Sequence, residues 1–576
     1  MMKEIVVAKN LDSESRKELI EFSDIVAHLL FHRGIKTRDE ARAFLSPEYD
    51  RGVYDPYLLH DMEKAVCRIL SAIENKEKIC IYSDYDADGI PGAVVLYDFF
   101  KKIGYDNFIN YIPDRSSEGF GLNKGAIEQI AKEKVTLMIT VDCGIADREC
   151  IEYAETFGID TIITDHHLPG DTLPKALALV NPKLTEKNKD PYPDQMLCGA
   201  GVAFKLVQGL LAKNRFGLKE GEEKWFLDMV GIATLSDMVP LVNENRVFAY
   251  FGLKVLRKSR RVGLVQLLQK LKIDQSKLTE DDVGFMITPR INAASRMGIS
   301  YDALRLLTTK DKDEAVFLVN KLEKVNKDRK TMTAILTKDI KKHIEKKYTS
   351  DINTKIIVAG DPLWKPSLLG LVANSLAEKE MKPVFLWGRD EGQDTLKGSC
   401  RSVGSISIVD IMSSVSEGVF GEFGGHHLAG GFSVPYDMIH RLEEELTSAY
   451  EKIDVQIQEA EARVDDSLLC DFVDSDFVRH IEMLAPFGTG NPKPVFLLSN
   501  ARVGGVQMFG KTKEHLKVIL QKQNGGTIEA IKFFVGEDLY EKLKDKHTLS
   551  FTGFVERSFF LGREQVRIRI DKFLEI

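Results

Sequence analysis

Apolar residues along the chain follow two rhythms, and the change between them marks out the architecture. Up to about residue 77 they recur at helical spacing, as in Leu19, Ile20, Ile25, Val26, Leu29 and Leu30, and Thr37-Arg38-Asp39-Glu40 reads as the capped start of a further helix through Ala41 to Leu45. From Lys78 short apolar runs alternate with amphipathic stretches. The pattern predicts strands at 79–82, 108–112, 136–141, 161–164 and 177–180, with helices at 92–102, 123–134 and 148–157 between them. Such alternation predicts an α/β fold built on a doubly wound parallel sheet. Between 311 and 350, Leu318, Leu322, Val325, Met332, Ile335 and Leu336 recur helically in a strongly charged stretch, which predicts a long connecting helix. A smaller α/β unit follows, with a strand at 355–359, a helix at 367–378 and a strand at 383–387. From about 455, short apolar runs separated by turn residues predict a small β-barrel. The expected division is 1–77, a helical segment packing on the core; 78–310, the parallel-sheet domain; 311–350, the connecting helix; 351–454, the smaller α/β domain; and 455–576, the barrel.

A length of 576 residues, with 44% hydrophobic and 29% charged, fits a soluble protein of several domains. The net charge of −8 argues against a uniformly basic surface, so any nucleic-acid contact is confined to a local groove. Seven cysteines without C-x-x-C spacing predict neither a disulfide framework nor a zinc knuckle. Met1-Met2-Lys3-Glu4 lacks a signal peptide's apolar core, and no stretch reaches membrane-spanning length, so a cytoplasmic protein without membrane contact is expected.

The chemistry gathers around Ser83-Asp84-Tyr85-Asp86-Ala87-Asp88-Gly89-Ile90-Pro91, where three acids alternate after a buried strand and Pro91 opens a helix. Open α/β sheets bind ligands at such turns. Crowded carboxylates repel unless a cation or proton intervenes, and hard divalent ions are the natural partners. Asp142 ends one later strand, Asp165-His166-His167 ends the next, and Asp237 closes an apolar helical run before Pro240. Helix capping or polar packing explains each one singly. Together they offer carboxylates and imidazoles at neighbouring strand ends, a donor set suited to Mn²⁺.

In this order the stretches resemble the four motifs of the DHH phosphoesterase superfamily. Within it, Leu29-Leu30-Phe31-His32-Arg33-Gly34, Tyr111-Ile112-Pro113-Asp114-Arg115, Glu118-Gly119-Phe120-Gly121-Leu122-Asn123 and Cys198-Gly199-Ala200-Gly201-Val202-Ala203-Phe204-Lys205 are similar to the RecJ family of single-strand-specific exonucleases. The resemblance runs from about residue 25 almost to the C-terminus. It implies a DHH catalytic domain, a DHH-associated domain and an OB-type barrel.

It also implies a site. Asp86 and Asp142 would hold one Mn²⁺ or Mg²⁺ ion, and Asp88, Asp142, His166 and Asp237 a second. His167 would face the phosphate, with Asp84 and Asp165 as accessory carboxylates. Tyr82 departs from the pattern, standing where many superfamily members have a histidine. Arg290, Asn292 and Arg296 resemble a segment lining the substrate path, with pairing to acidic helices as the alternative. Ser399, Arg401, Gly424, Gly425 and His426 match a phosphate-gripping face of the associated domain, although Lys365 replaces a histidine common in relatives. In the barrel, Phe509, Lys511, Lys517 and Arg563 are candidates for single-strand contact. The basic run Lys254, Arg257, Lys258, Arg260 and Arg261 reads either as a solvated helix face or as a nucleic-acid patch. The function implied is a two-metal-dependent 5′-to-3′ exonuclease that cuts single-stranded DNA to 5′-mononucleotides in repair and recombination. It would act as a monomer, with single-strand-binding protein and a RecQ-type helicase as partners. A small-substrate DHH phosphoesterase, such as a nano-RNase or pAp phosphatase, and a non-catalytic replisome scaffold are the alternatives.

Overall fold

The apolar runs between 79 and 180 pair as five parallel strands. In the computed structural model, which describes residues 5–115, 117–185, 190–348, 354–390, 395–404, 406–453, 462–510, 513–560 and 563–574, their order is Phe108–Tyr111, Ile79–Ser83, Leu137–Val141, Asp160–Thr164, Ala178–Val180. The chain therefore enters at the second position and reverses direction between Ile79–Ser83 and Leu137–Val141. That reversal is the switch point at which an open sheet leaves a crevice beyond its strand ends. Ile79–Ser83 and Leu137–Val141 are buried along their whole length, as expected of central strands with helices on both faces. Helix Gly89–Lys102 starts three residues before the predicted 92, so Pro91 lies within its first turn. The Asp86 side chain explains the early start: its Oδ1 accepts the amides of Asp88 at 2.7 Å and Gly89 at 3.1 Å and tightens the turn.

The predicted connector is a single helix of 36 residues, Lys312–Lys347, capped by Asp311, whose carboxylate accepts the amides of Asp313 and Glu314. Beyond it five strands form a mixed sheet in the order Phe423–His426, Ala429–Val434, Leu396–Arg401, Val384–Arg389, Ile357–Gly360. Both sheets belong to one compact unit, residues 56–237 and 255–460.

A second compact unit comprises residues 1–55, 238–254 and 461–576. Its strands Phe496–Phe509, His515–Gln521, Thr527–Phe533, Arg563–Leu574 and Thr548–Phe560 close into a barrel, because the first pairs with the last as well as with the second. Of the residues 1–77 expected to pack on the parallel-sheet core, 56–77 group with it, whereas 1–55 group with the barrel, which corrects the expectation for that part. Leu29, Ile25, Phe44 and Leu45 join the apolar cluster of the barrel and of helix Ser475–Glu482 instead. Arg33 reinforces the grouping by donating to Asn491 Oδ1 at 2.7 Å and to the Pro492 carbonyl at 2.6 Å. Arg246 lies 3.4 Å above the Phe44 ring and donates to the Leu484 and Ala485 carbonyls. Among the described residues no helix is long and apolar enough to cross a membrane.

Four of the five cations of the basic run, Lys254, Arg257, Lys258 and Arg260, are exposed, as the solvated-face reading expects, and Arg261 departs from it. Its side chain, 13% exposed, lies between Asp98 at 2.8 Å and Asp228 at 3.0 Å and also donates to the Leu307 carbonyl. Arg257 likewise donates to the Leu278 carbonyl. Truncating a buried ion-pair partner strands the remaining charge. Arg261→Met should therefore destabilise the 56–237/255–460 unit by about 3–5 kcal/mol, read as a lowered midpoint in chemical denaturation.

Candidate metal centre

Three strand ends and one helix end bring the predicted acids and imidazoles together. Asp84, Asp86 and Asp88 leave the first strand at the switch point, Asp142 leaves the neighbouring strand, and Asp165-His166-His167 leave the next. Asp237 caps helix Leu227–Ser236, whose Ser236 hydroxyl lies 2.5 Å from that of Thr288. His166 Nε2 is 3.1 Å from Asp142 Oδ1, 3.8 Å from Asp88 Oδ2 and 3.8 Å from Asp237 Oδ2. Among the described residues three sets have ligand atoms within 4.8 Å of one another: Asp84 with Asp86 and Asp142, Asp88 with His166 and Asp237, and Asp142 with His166 and His167. Asp142 thus sits between two donor sets. Asp84, expected as accessory, stands inside one of them.

Close packing makes room for this. Gly199 allows the approach of Asp142, because a Cβ there would meet the Asp142 Cβ at 2.5 Å. Asp142 itself adopts φ 63°, a left-handed conformation that costs a non-glycine residue energy and recurs at functional sites. Asp88 accepts the Gly199 and Ala200 amides at 2.6 and 2.7 Å, at the N-terminus of helix Gly199–Lys213, where a carboxylate is favoured.

The electrostatics of these acids suit cations. Burial, then the neighbouring Asp86, pushes Asp88 up to about 7, despite its two amide donors. Asp142, Asp84 and Asp237 are also raised, by burial first and then by neighbouring carboxylates. Asp142 Oδ1 and Asp84 Oδ1 are buried and accept no hydrogen bond. Crowded carboxylates with orphaned oxygens and an imidazole among them fit divalent cations. Asp165 differs. Burial would raise it, but the hydrogen bond and charge of His167 outweigh that and bring it to about 2. It accepts His167 Nδ1 at 2.7 Å together with the His166 and His167 amides, so it orients the His pair. Lys183, which the sequence did not single out, donates to the His166 carbonyl.

The other candidates sort unevenly. Arg296 is packed against the associated domain, donating to the Ser367 carbonyl at 2.8 Å. Burial, then Arg115, Arg401 and Arg329, lowers it to about 9. Arg401 donates to Ser399 Oγ at 3.2 Å and is lowered by burial and by Arg115. Arg115 stands 5.0 Å from the Tyr85 ring centre, and its charge reaches Asp84. A cationic pocket of Arg115, Arg296 and Arg401 therefore borders the acidic cage. Arg115 was missed as a site residue, since only its place in a family-like passage marked it. Asn292 serves the cage directly, accepting the Ala87 amide at 2.9 Å within the acidic turn. Arg290 follows the alternative of pairing with an acidic helix: its Nε donates to Glu323 at 2.5 Å and its Nη1 to the Met286 carbonyl. Gly424 and Gly425 lie exposed in the edge strand, opposite Gly431 and Gly430. The side chains of His426 and Arg563, and all of Lys511, lie outside the described residues. On the barrel Phe509 packs 5.2 Å from the His515 ring, and Lys517 pairs with Glu529 at 3.2 Å.

Comparison with known proteins gives consistent matches. Residues 78–234 match the DHH family, N-terminal domain; residues 353–459 match the DHHA1 domain; and residues 464–572 match the RecJ OB domain. The single-stranded-DNA-specific exonuclease RecJ of Bacillus subtilis is 34% identical over 97% of this chain and 69% of its own length. The Escherichia coli protein of the same name is 30% identical over 91% of this chain and 92% of its own. The crystal structure of RecJ in complex with Mn²⁺ from Thermus thermophilus superposes with TM-score 0.81 at 27% identity, covering 99% of this chain and 79% of that one.

Two predictions follow from the acidic cage. A carboxyl whose pKa is raised on folding holds its proton more tightly in the folded chain, so ionising it costs stability as pH rises. For Asp88 that window runs from 3.8 to about 7. The metal-free protein should lose stability across that range, and the increase in melting temperature on adding Mn²⁺ should be larger at pH 8 than at pH 5.5. Asp142→Asn should raise the melting temperature of the metal-free protein at pH 8, because it removes one repelling charge. The same variant should weaken Mn²⁺ binding, measured by calorimetry, by about 100-fold or more.

Proposed function

The chain belongs to the RecJ family, and from that membership together with its carboxylate cage we propose that it is a metal-dependent exonuclease acting on single-stranded DNA from the 5′ end. The observation that carries the reading is the convergence of Asp88, Asp142 and Asp237 on His166 Nε2, at 3.1 to 3.8 Å. Asp84, Asp86 and Asp142 would hold one divalent ion, and Asp88, His166 and Asp237, sharing Asp142, the other. Bound there, the ions supply Lewis-acid charge that lowers the pKa of water and offsets the phosphate's charge. The chain's own groups do the rest. Asp165 orients His167, whose imidazole is offered to a phosphate oxygen. Arg115, Arg296 and Arg401 take the neighbouring backbone phosphates, as guanidinium groups do well. Asn292 holds the acidic turn in register by binding the Ala87 amide.

Both alternatives fit less well. A small-substrate phosphoesterase has no need of a closed barrel, and a scaffold has no need of an intact ligand set. Release of 5′-mononucleotides, action in DNA repair and recombination, a monomeric state in the cytoplasm, and partnership with single-strand-binding protein and a RecQ-type helicase belong to the same proposal. Support for single-strand handling comes from the aromatic Phe509–His515–Phe533 group on the barrel.

The test uses Mn²⁺ and DNA labelled at either end, single- or double-stranded. Label should leave the 5′ end of single strands first, and Asp142→Ala should slow release by about 100-fold or more. Equal attack on duplex, or undiminished cutting by Asp142→Ala, would overturn the proposal.

A further inference from the structure

Tyr82 stands on the strand that ends in the acidic turn, yet its hydroxyl turns away from the cage. It donates to the Gly121 carbonyl at 2.9 Å, and Asn123 Nδ2 reaches it at 3.4 Å. Its ring is fully buried and stacks on Tyr111, with centroids 5.2 Å apart and planes 16° off parallel. The Tyr111 hydroxyl donates to Glu118 at 2.6 Å. Glu118 also accepts the Asp114 amide at 2.6 Å and Asn123 Nδ2 at 3.1 Å. Two tyrosines, one glutamate and one asparagine thus tie residues 113–115 and 117–123 to the edge strand Phe108–Tyr111 and its neighbour Ile79–Ser83.

That segment presents two groups to the site from opposite legs. Arg115 stands over Tyr85, and Phe120 meets the His167 ring edge-on at 5.5 Å while remaining 55% exposed. Phe120 is flanked by Gly119 at φ 85° and Gly121 at φ 78°, left-handed positions that fit glycine and set the chain's direction on each side of the ring. The turn is held within itself by the Asp114 carbonyl, which accepts the Glu118 and Gly119 amides at 2.8 and 3.3 Å, and on its far side by Asp147, which accepts the Leu122 amide at 2.9 Å. The Tyr82 hydroxyl adds a restraint from the sheet by binding the Gly121 carbonyl between them.

We propose that Tyr82, with Tyr111 and Glu118, is a positioning brace that fixes the reach of the Arg115–Phe120 segment over the metal cage, so that the end of a DNA strand is gripped in register with the scissile bond. The proposal rests on the exonuclease reading, and it assigns Tyr82 a positioning role. The brace acts on binding of the strand and leaves the ions' ligands untouched.

Tyr82→Phe keeps the stacked ring and removes only the hydroxyl. The expected result is a KM for single strands raised roughly tenfold, the scale of one buried hydrogen bond, with kcat within about twofold and Mn²⁺ affinity unchanged in calorimetry. Hydrogen exchange across residues 113–123 should rise in the same variant. Glu118→Gln should reproduce the KM effect, and the double variant should be no worse than the poorer single one. A merely structural tyrosine would lower the melting temperature without separating KM from kcat. An unchanged KM, or a fall in Mn²⁺ affinity alongside activity, would overturn the brace. If the unsubstituted protein cuts no DNA, the functional reading falls, while exchange of the segment and anisotropy of a labelled strand bound in EDTA still decide for or against the brace.

Discussion

Mutual repulsion among carboxylates at one crevice governs this protein. Six aspartates and two histidines gather where the parallel sheet changes direction, and several of the acids are buried. Left alone they would rather be protonated than charged, as the upward shifts of Asp84, Asp88, Asp142 and Asp237 express. Burying such groups in their charged form is tolerable only when cations complete them. The switch point of the sheet, the early start of helix Gly89–Lys102 and the left-handed backbone of Asp142 all serve to place oxygens where ions can meet them.

The acidic cage does not stand alone. Next to it Arg115, Arg296 and Arg401 repel one another, as the lowering of Arg296 to about 9 reflects. A cationic pocket beside an anionic one is a favourable arrangement for a metal–phosphate substrate, which pairs with both. This local polarity also resolves the tension between a net charge of −8 and a nucleic-acid substrate. Many acids line the cage or cap helices, and Arg115, Arg296 and Arg401 are gathered beside it.

Much of this was legible in the chain itself. Alternating apolar runs gave the parallel sheet, because central strands covered on both faces must be apolar throughout. The spacing Asp84, Asp86, Asp88 before Gly89 marked the turn, since strand and helix geometry leave such acids in a crevice. Long-range choices were not legible. Arg290 and Arg296 are six residues apart on one helix, and nothing in their types reveals that Glu323 engages one while the pocket keeps the other. Arg261 read as surface charge because its partners, Asp98 and Asp228, are remote in sequence. The first 55 residues read as helical, but which core they would join depends on Leu29 and Phe44 finding the barrel's apolar cluster. Tyr82 was visible as a departure from a motif. Only the position of Gly121 shows what its hydroxyl does.

The central claim is that scattered side chains cage a pair of ions, and anomalous diffraction from crystals grown in Mn²⁺ addresses it most directly. Two manganese peaks about 3.5–4 Å apart are predicted, one against Asp84, Asp86 and Asp142 and the other against Asp88, His166 and Asp237. A single peak outside these residues, or no peak at saturating Mn²⁺, would contradict the account.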